Sequence, residues 1–185
     1  MEVKGVSLIS TREFVLTKFK SEEYDRWLKS LSTESHSIIS GNILASNWYP
    51  YVRGMLEPTK SICDMFYAGS MRGAEEIGRY SAEKSLRGIY RFFVKIASPD
   101  SLLKRATTIF QSYYNPCRIE LVKEADKSFV MRFSEFDPPS PFVEHRVMGW
   151  IEAALEICGA SSIKIGVRKS AQNKNDMTEL SIIWK

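Results

Sequence analysis

The sequence predicts an α+β domain, in which a helical N-terminal portion (residues 1–115) precedes a β-β-α-β-β portion (residues 116–185) whose strands form an antiparallel sheet. Three observations predict it. Apolar residues recur at spacings of three and four in the first portion, as in Tyr24, Trp27, Leu28 and Leu31. After Asn115-Pro116 the period falls to two, with Ile119 and Leu121, then Phe129, Met131 and Phe133, on one side of each run. Helical spacing returns once between Phe142 and Cys158, ahead of two closing alternating runs. A chain of 185 residues, 44% hydrophobic and 26% charged, fits one domain over residues 1–185 with a substantial core.

Taken in order, Val3–Ile9 reads as a short β-prone stretch, and Ser10 or Thr11 as the cap of a helix carrying Phe14, Val15, Leu16 and Phe19. Ser21-Glu22-Glu23 opens a second helix with Tyr24, Trp27, Leu28 and Leu31 on one face. Residues 32–47, rich in Ser, Asn and Gly, read as a loop tucked against the body through Ile38-Ile39 and Ile43-Leu44. Trp48-Tyr49-Pro50 then sets up a third helix, because proline fixes its own φ and tolerates the first helical turn. That helix carries Val52, Met55 and Leu56, is perturbed at Pro58, and resumes through Ile62, Met65, Phe66 and Tyr67 to a stop at Gly69-Ser70. The longest helix runs over Gly73–Ala97, with Ala82, Leu86, Ile89, Tyr90, Phe93, Val94 and Ala97 on its apolar stripe. Arg79, Glu83, Arg87, Arg91 and Lys95 form its polar ridge. Ser98-Pro99-Asp100 stops it and caps the next helix, marked by Leu102, Leu103, Ala106, Ile109, Phe110 and Tyr113.

In the second portion, Arg118–Lys123 and the run through Phe129, Met131 and Phe133 are strands joined by the loop Glu124-Ala125-Asp126-Lys127. Asp137-Pro138-Pro139-Ser140-Pro141 is a rigid linker into the helix from Phe142 to Cys158. That helix is expected to bury Val143, Val147, Trp150, Ile151, Ala154 and Cys158, and Gly159 stops it. The closing strands hold Ile163, Ile165 and Val167, then Leu180, Ile182 and Trp184, joined by a polar loop over residues 170–176.

Composition narrows the function classes. A net charge of +4 is modest, and Lys164, Arg168, Lys169 and Lys174 cluster without interleaved aromatics, so nucleic-acid binding is disfavoured. Met1-Glu2-Val3-Lys4-Gly5 lacks the apolar core of a signal peptide, and no apolar run approaches the roughly 18 residues of a membrane span. With Cys63, Cys117 and Cys158 odd in number and set among apolar neighbours as reduced core thiols, the expected location is the cytoplasm. His36 and His145 are the two histidines, neither in a catalytic context. His145 beside Glu144 and Glu152 reads as ordinary surface composition, short of the ligands zinc needs. The expectation is therefore no catalytic residue, no metal site and no enzyme.

Two constellations remain. Trp48, Tyr49 and Tyr51, with Tyr90 and Phe93 on the long helix, are of the type that lines apolar pockets. The competing reading makes them core anchors. From this set Trp48, Tyr49, Tyr90 and Phe93 are the candidate ligand-binding residues. Arg79, Arg87 and Arg91 are candidate contacts for an anion or an acidic partner, against the alternative of a solvated face with Glu83 paired to Arg87.

The order of several short motifs is similar to a bacterial family, the Myxococcus-type paralogous domain of unknown function. The matching residues include Lys4-Gly5 with Arg12-Glu13-Phe14, Trp48-Tyr49-Pro50, and Gly78-Arg79 followed by Arg87-Gly88-Ile89-Tyr90-Arg91-Phe92. Ser98-Pro99, Leu102-Leu103-Lys104-Arg105-Ala106, Tyr113-Tyr114, Gly149-Trp150, Leu155-Glu156, Gly159-Ala160 and Ile183-Trp184 continue the match. That family resembles the superfamily of haem nitric-oxide-binding domains, 4-vinyl-reductase-like domains and small Golgi trafficking-tether subunits. The resemblance implies a ligand-binding fold with a cavity between helices and sheet, and a homodimer through the helical face. The haem-binding branch uses a helical histidine and a Tyr-x-Ser-x-Arg clamp; the helix over Gly73–Ala97 has no histidine and the clamp motif is missing. The cysteine pair that flanks the final hairpin loop in many relatives is missing as well. Cofactors thus stay open, and histidine-ligated haem is not expected, although Cys or Tyr also hold haem iron in some proteins. The expected function is a non-enzymatic sensory or regulatory domain for an apolar small molecule; the alternative is a homodimeric scaffold that meets a protein partner and holds no ligand.

Overall fold

A computed structural model describes residues 1–87, 98–173 and 175–185. It has the predicted α+β class, with a helical first part and a β-β-α-β-β second part. The first part holds β1 (Glu2–Lys4), α1 (Gly5–Lys18), α2 (Ser21–Ser30), α3 (Thr33–Ser40), β2 (Trp48–Pro50), a π-helical turn (Val52–Leu56), α4 (Glu57–Phe66), α5 (Arg72–Arg87), α6 (Pro99–Tyr113) and β3 (Tyr114–Asn115). The second holds β4 (Arg118–Ala125), β5 (Ser128–Ser134), α7 (Pro141–Ile157), β6 (Lys164–Lys169), a short 3-10 turn (Ala171–Asn173) and β7 (Thr178–Ile183).

Four local expectations need correction. The β-prone start is only three residues long, since the Gly5 and Val6 amides bond to Asn47 and Ala45 carbonyls and helix α1 begins at once. Residues 33–40, expected as loop, form α3, because Ser32 accepts from the Ser35 amide as a helix cap and Ile39 gives the turn a buried contact. Trp48–Pro50 is a strand paired with β1 rather than the first turn of a helix, and helical geometry starts at Tyr51. Pro58 does not interrupt: the chain widens just before it, with the Glu57 amide bonded to the Val52 carbonyl, and the proline then sits in the first turn of α4. The predicted long helix is present as α5 to Arg87; residues 88–97, and with them Ile89, Tyr90, Arg91 and Phe93, lie outside the described residues.

Two antiparallel sheets form where one was expected. The larger has the order β4-β5-β7-β6, and the smaller is β2-β1-β3 with β1 in the middle. In the larger sheet Leu121 faces Met131, Met131 faces Leu180, and Ile182 lies between Phe129 and Ile165, which builds the apolar inner face. Phe129 stacks on Trp184 at 5.6 Å between ring centroids. Helix α7 is buried nearly all round, as a helix must be when elements cover it on more than one side. It crosses α5 at contact distance. A Cβ on Gly78 would stand 2.1 Å from the Arg146 carbonyl oxygen, and one on Gly149 would stand 2.1 Å from that of Glu75.

Candidate functional site: a buried guanidinium among hydroxyls

Helix α7 carries three consecutive polar residues near its start, Glu144-His145-Arg146. Successive residues of an α-helix point about 100° apart, so the three side chains address three different neighbours. Glu144, 4% exposed, accepts hydrogen bonds at Oε1 from Thr178 of β7 at 2.6 Å and from Ser170 at 2.7 Å. His145 places Nδ1 2.8 Å from Oε1 of Glu75 on α5. Arg146, also 4% exposed, reaches into the helical part. Its Nη1 donates to Thr11 of α1 at 3.0 Å and to Thr59 of α4 at 2.8 Å, and its Nη2 donates to Ser7 of α1 at 3.2 Å.

All three acceptors of Arg146 among the described residues are neutral hydroxyls. Residues 88–97 and 174 include no Asp or Glu, so every side-chain carboxylate of the protein is described, and none lies within 4 Å of this guanidinium. Burial holds the Arg146 proton affinity below its ordinary value, while Tyr114, Cys63 and Tyr51 nearby act the other way. A buried charge without an opposite charge is among the costliest features a core can hold.

The hydroxyls around it are short of acceptors. Tyr51 is 1% exposed, and its hydroxyl has no partner among the described residues. The Tyr114 hydroxyl has the Met55 thioether at 3.6 Å, and Ser7 donates to the same sulfur at 3.7 Å. Sulfur of this kind is a weak acceptor. Burial pushes Tyr114 up to about 12 and raises Tyr51 further, so both stay protonated donors despite the nearby Arg146 charge. One buried cation and several hydroxyls therefore converge from α1, Tyr51 at the cap of the π-helical turn, α4, β3 and α7.

The residues singled out in the sequence lie elsewhere or outside the described part. Trp48 is 37% exposed at the edge of the small sheet, with Lys4 Nζ 3.9 Å from its ring centroid. Tyr49 is half-buried, and its hydroxyl accepts the Leu44 amide at 2.9 Å. Tyr51, two residues on, is the aromatic of that motif that meets the buried cluster. The Arg79 guanidinium is held by its own chain, donating to Glu152 at 2.8 Å and Glu156 at 2.6 Å. The side chain of Arg87 lies outside the described residues, as do Tyr90, Arg91 and Phe93. Sequence reasoning missed Arg146, Ser7, Thr11, Thr59 and Tyr114. The signal for Arg146 was its position, three residues after Val143 and four before Trp150, on the buried stripe of α7.

Comparison with known proteins places this geometry in context. The profile of a family described as proteins of unknown function, DUF2378, matches residues 81–185, more than half of the chain. The chain belongs to DUF2378. No curated protein matches it in sequence. Among solved structures, an H-NOX protein from S. oneidensis in the Fe(II)NO ligation state is similar, with a TM-score of 0.76 at 12% identity over 98% of this chain and 99% of that one. The Fe(II) unliganded H-NOX protein from K. algicida gives 0.74 at 13% identity over 98% and 96%. This DUF2378 member has the H-NOX-like fold.

That fold raises the question of haem, and the residues of this DUF2378 chain do not fit it in the histidine-ligated form. The protein has two histidines: His36 is exposed on α3, and His145 is engaged by Glu75 at the α5–α7 crossing. Three surface cavities lined by described residues measure about 120, 170 and 120 Å³. Pockets that enclose a drug-sized ligand run to roughly 300–1,000 Å³. The first of the three opens beside Glu144 and Thr178, between Phe133 and Phe136.

Proposed function

We propose that this protein is a non-enzymatic sensory or regulatory domain that binds a small molecule between its N-terminal helices and the α7–sheet half, without histidine-ligated haem. The observation that carries the reading is the Arg146 cluster, where polar groups from five segments converge in the interior around a guanidinium with no carboxylate partner and a Tyr51 hydroxyl with no partner among the described residues. The H-NOX-like fold supports it. A non-enzymatic role is favoured by the thiols of Cys63 and Cys117, which burial pushes up, to about 12 for Cys117, away from the thiolate a nucleophile requires. Such thiols also suit a cytoplasmic setting, and among the described residues no helix is long and apolar enough to cross a membrane. Signalling would follow from tighter binding of the ligand in one arrangement of the helices than in another. The Myxococcus-type paralogous family is the lineage this reading assigns.

Native mass spectrometry of the purified full-length chain, followed by denaturation and identification of released small molecules, tests the proposal. A stoichiometric co-purifying compound is the expected result. A compound-free homodimer would overturn it in favour of a protein-interaction scaffold, a reading that the exposed Leu16, Leu44, Trp48 and Val52 on the helical part favour.

A further inference from the structure

We infer that the Arg146 cluster is a buried anion site, filled by a small anion such as chloride or nitrate or by the carboxylate head of an organic ligand. The inference rests on the small-molecule reading above and names its chemistry. Its basis is an imbalance of charge and of donors. Arg146 supplies a full positive charge in the core, its three bonds among the described residues go to neutral hydroxyls, and no side-chain carboxylate lies within 4 Å of it. Among the described residues Tyr51 presents a buried hydroxyl with no partner, and Tyr114 presents one whose partner is the weakly accepting Met55 thioether, to which Ser7 also donates while it accepts from Arg146. A cation or a neutral hydroxyl-bearing ligand would leave the guanidinium uncompensated. An anion satisfies the guanidinium and both tyrosine hydroxyls at once, because it accepts hydrogen bonds and carries the missing charge. Thr11 is already committed as a donor to the Ser7 carbonyl at 2.9 Å, so its lone pairs face Arg146 and the anion's donors are Arg146, Tyr51 and Tyr114.

The test uses the full chain, denatured, refolded in sodium gluconate, and titrated at constant ionic strength with chloride, nitrate, formate and acetate while the melting temperature is followed. Ligand linkage predicts a saturable rise on the order of 5 °C or more at about 100 times Kd for the anion that fits. Arg146→Met should abolish the saturable part. Tyr51→Phe, which removes one hydroxyl and little volume, should weaken the midpoint about tenfold, as loss of a hydrogen bond to a charged group does. Should Arg146→Met fail to fold, Tyr51→Phe decides alone: an unchanged midpoint overturns the site. The same, non-saturating slope for all four anions in the wild-type chain also overturns it. The two readings separate cleanly. A neutral compound co-purifying without anion dependence sinks the anion site and leaves the sensory reading intact. A saturable anion effect with no organic compound released upholds the site as structural and removes support for sensing.

Discussion

Among single residues, Glu57 illustrates how one carboxylate organises a neighbourhood that looked featureless in the sequence. It accepts from the Ser32 amide at 2.5 Å, the Ser35 hydroxyl at 2.7 Å, the Ser32 hydroxyl at 3.0 Å and Arg53 at 2.7 Å. Burial alone would raise its pKa, but these bonds outweigh it and bring the group down to about 2. Because the folded carboxyl titrates below its ordinary 4.5, its contribution is complete above about pH 4.5 and fades as the pH falls toward 2. Glu57→Gln should therefore cost about 2 kcal/mol at pH 7, and urea denaturation at pH 7 and pH 3 should show the gap from the wild type narrowing in acid. The same residue explains a misreading. Ser32, Ser35 and Ser37 argue for loop by composition, and the helix α3 they occupy is secured by a carboxylate 22 residues beyond Ser35. Arg146 is the converse case: its place on the buried stripe was readable, but the hydroxyls that receive it come from α1 and α4, and no local pattern announces a contact 135 residues distant.

Between elements, the α5–α7 crossing depends on two glycines facing each other's backbones. Gly78 and Gly149 allow an approach at which any side chain would meet carbonyl oxygen, and backbone cannot rotate aside as a side-chain tip can. Gly78→Ala or Gly149→Ala should destabilise the protein by about 3 kcal/mol or more, read as a lower denaturant midpoint, although alanine is the better helix former. The crossing is also spanned by His145–Glu75 and by Arg79 with Glu152 and Glu156, so separation of the helices would break these pairs too. Periodicity made α2, α6, α7 and the four strands of the larger sheet legible, since each repeats its apolar residues at the spacing of its own element. The smaller sheet was not legible, because strands of two or three residues carry too little alternation, and their pairing is decided by segments far along the chain.

For the molecule as a whole, the family match begins within α5, at residue 81, whereas the structure joins both halves through α7. A chain limited to residues 81–185 would lose Gly78 and the α1 and α4 hydroxyls, and would bare the α7 face that carries Arg146. It should lack cooperative unfolding and show the collapsed near-ultraviolet circular dichroism of unpacked aromatics, while the full chain keeps both signatures. The α+β class was readable at this scale because helical and alternating stretches segregate along the sequence; the interior polar cluster was not, because it exists only once the two halves meet. The small sheet β2-β1-β3 adds a matter of timing. Its middle strand is synthesised before either neighbour, and Tyr114–Asn115 follows Glu2–Lys4 by about 110 residues, roughly 5–20 s of translation. Strand β2 can cover one edge of β1 after about 45 residues, but the edge that Tyr114–Asn115 closes stays open to whatever waits at the ribosome exit for the full interval, so the last stitch of the helical half is also its longest-delayed one.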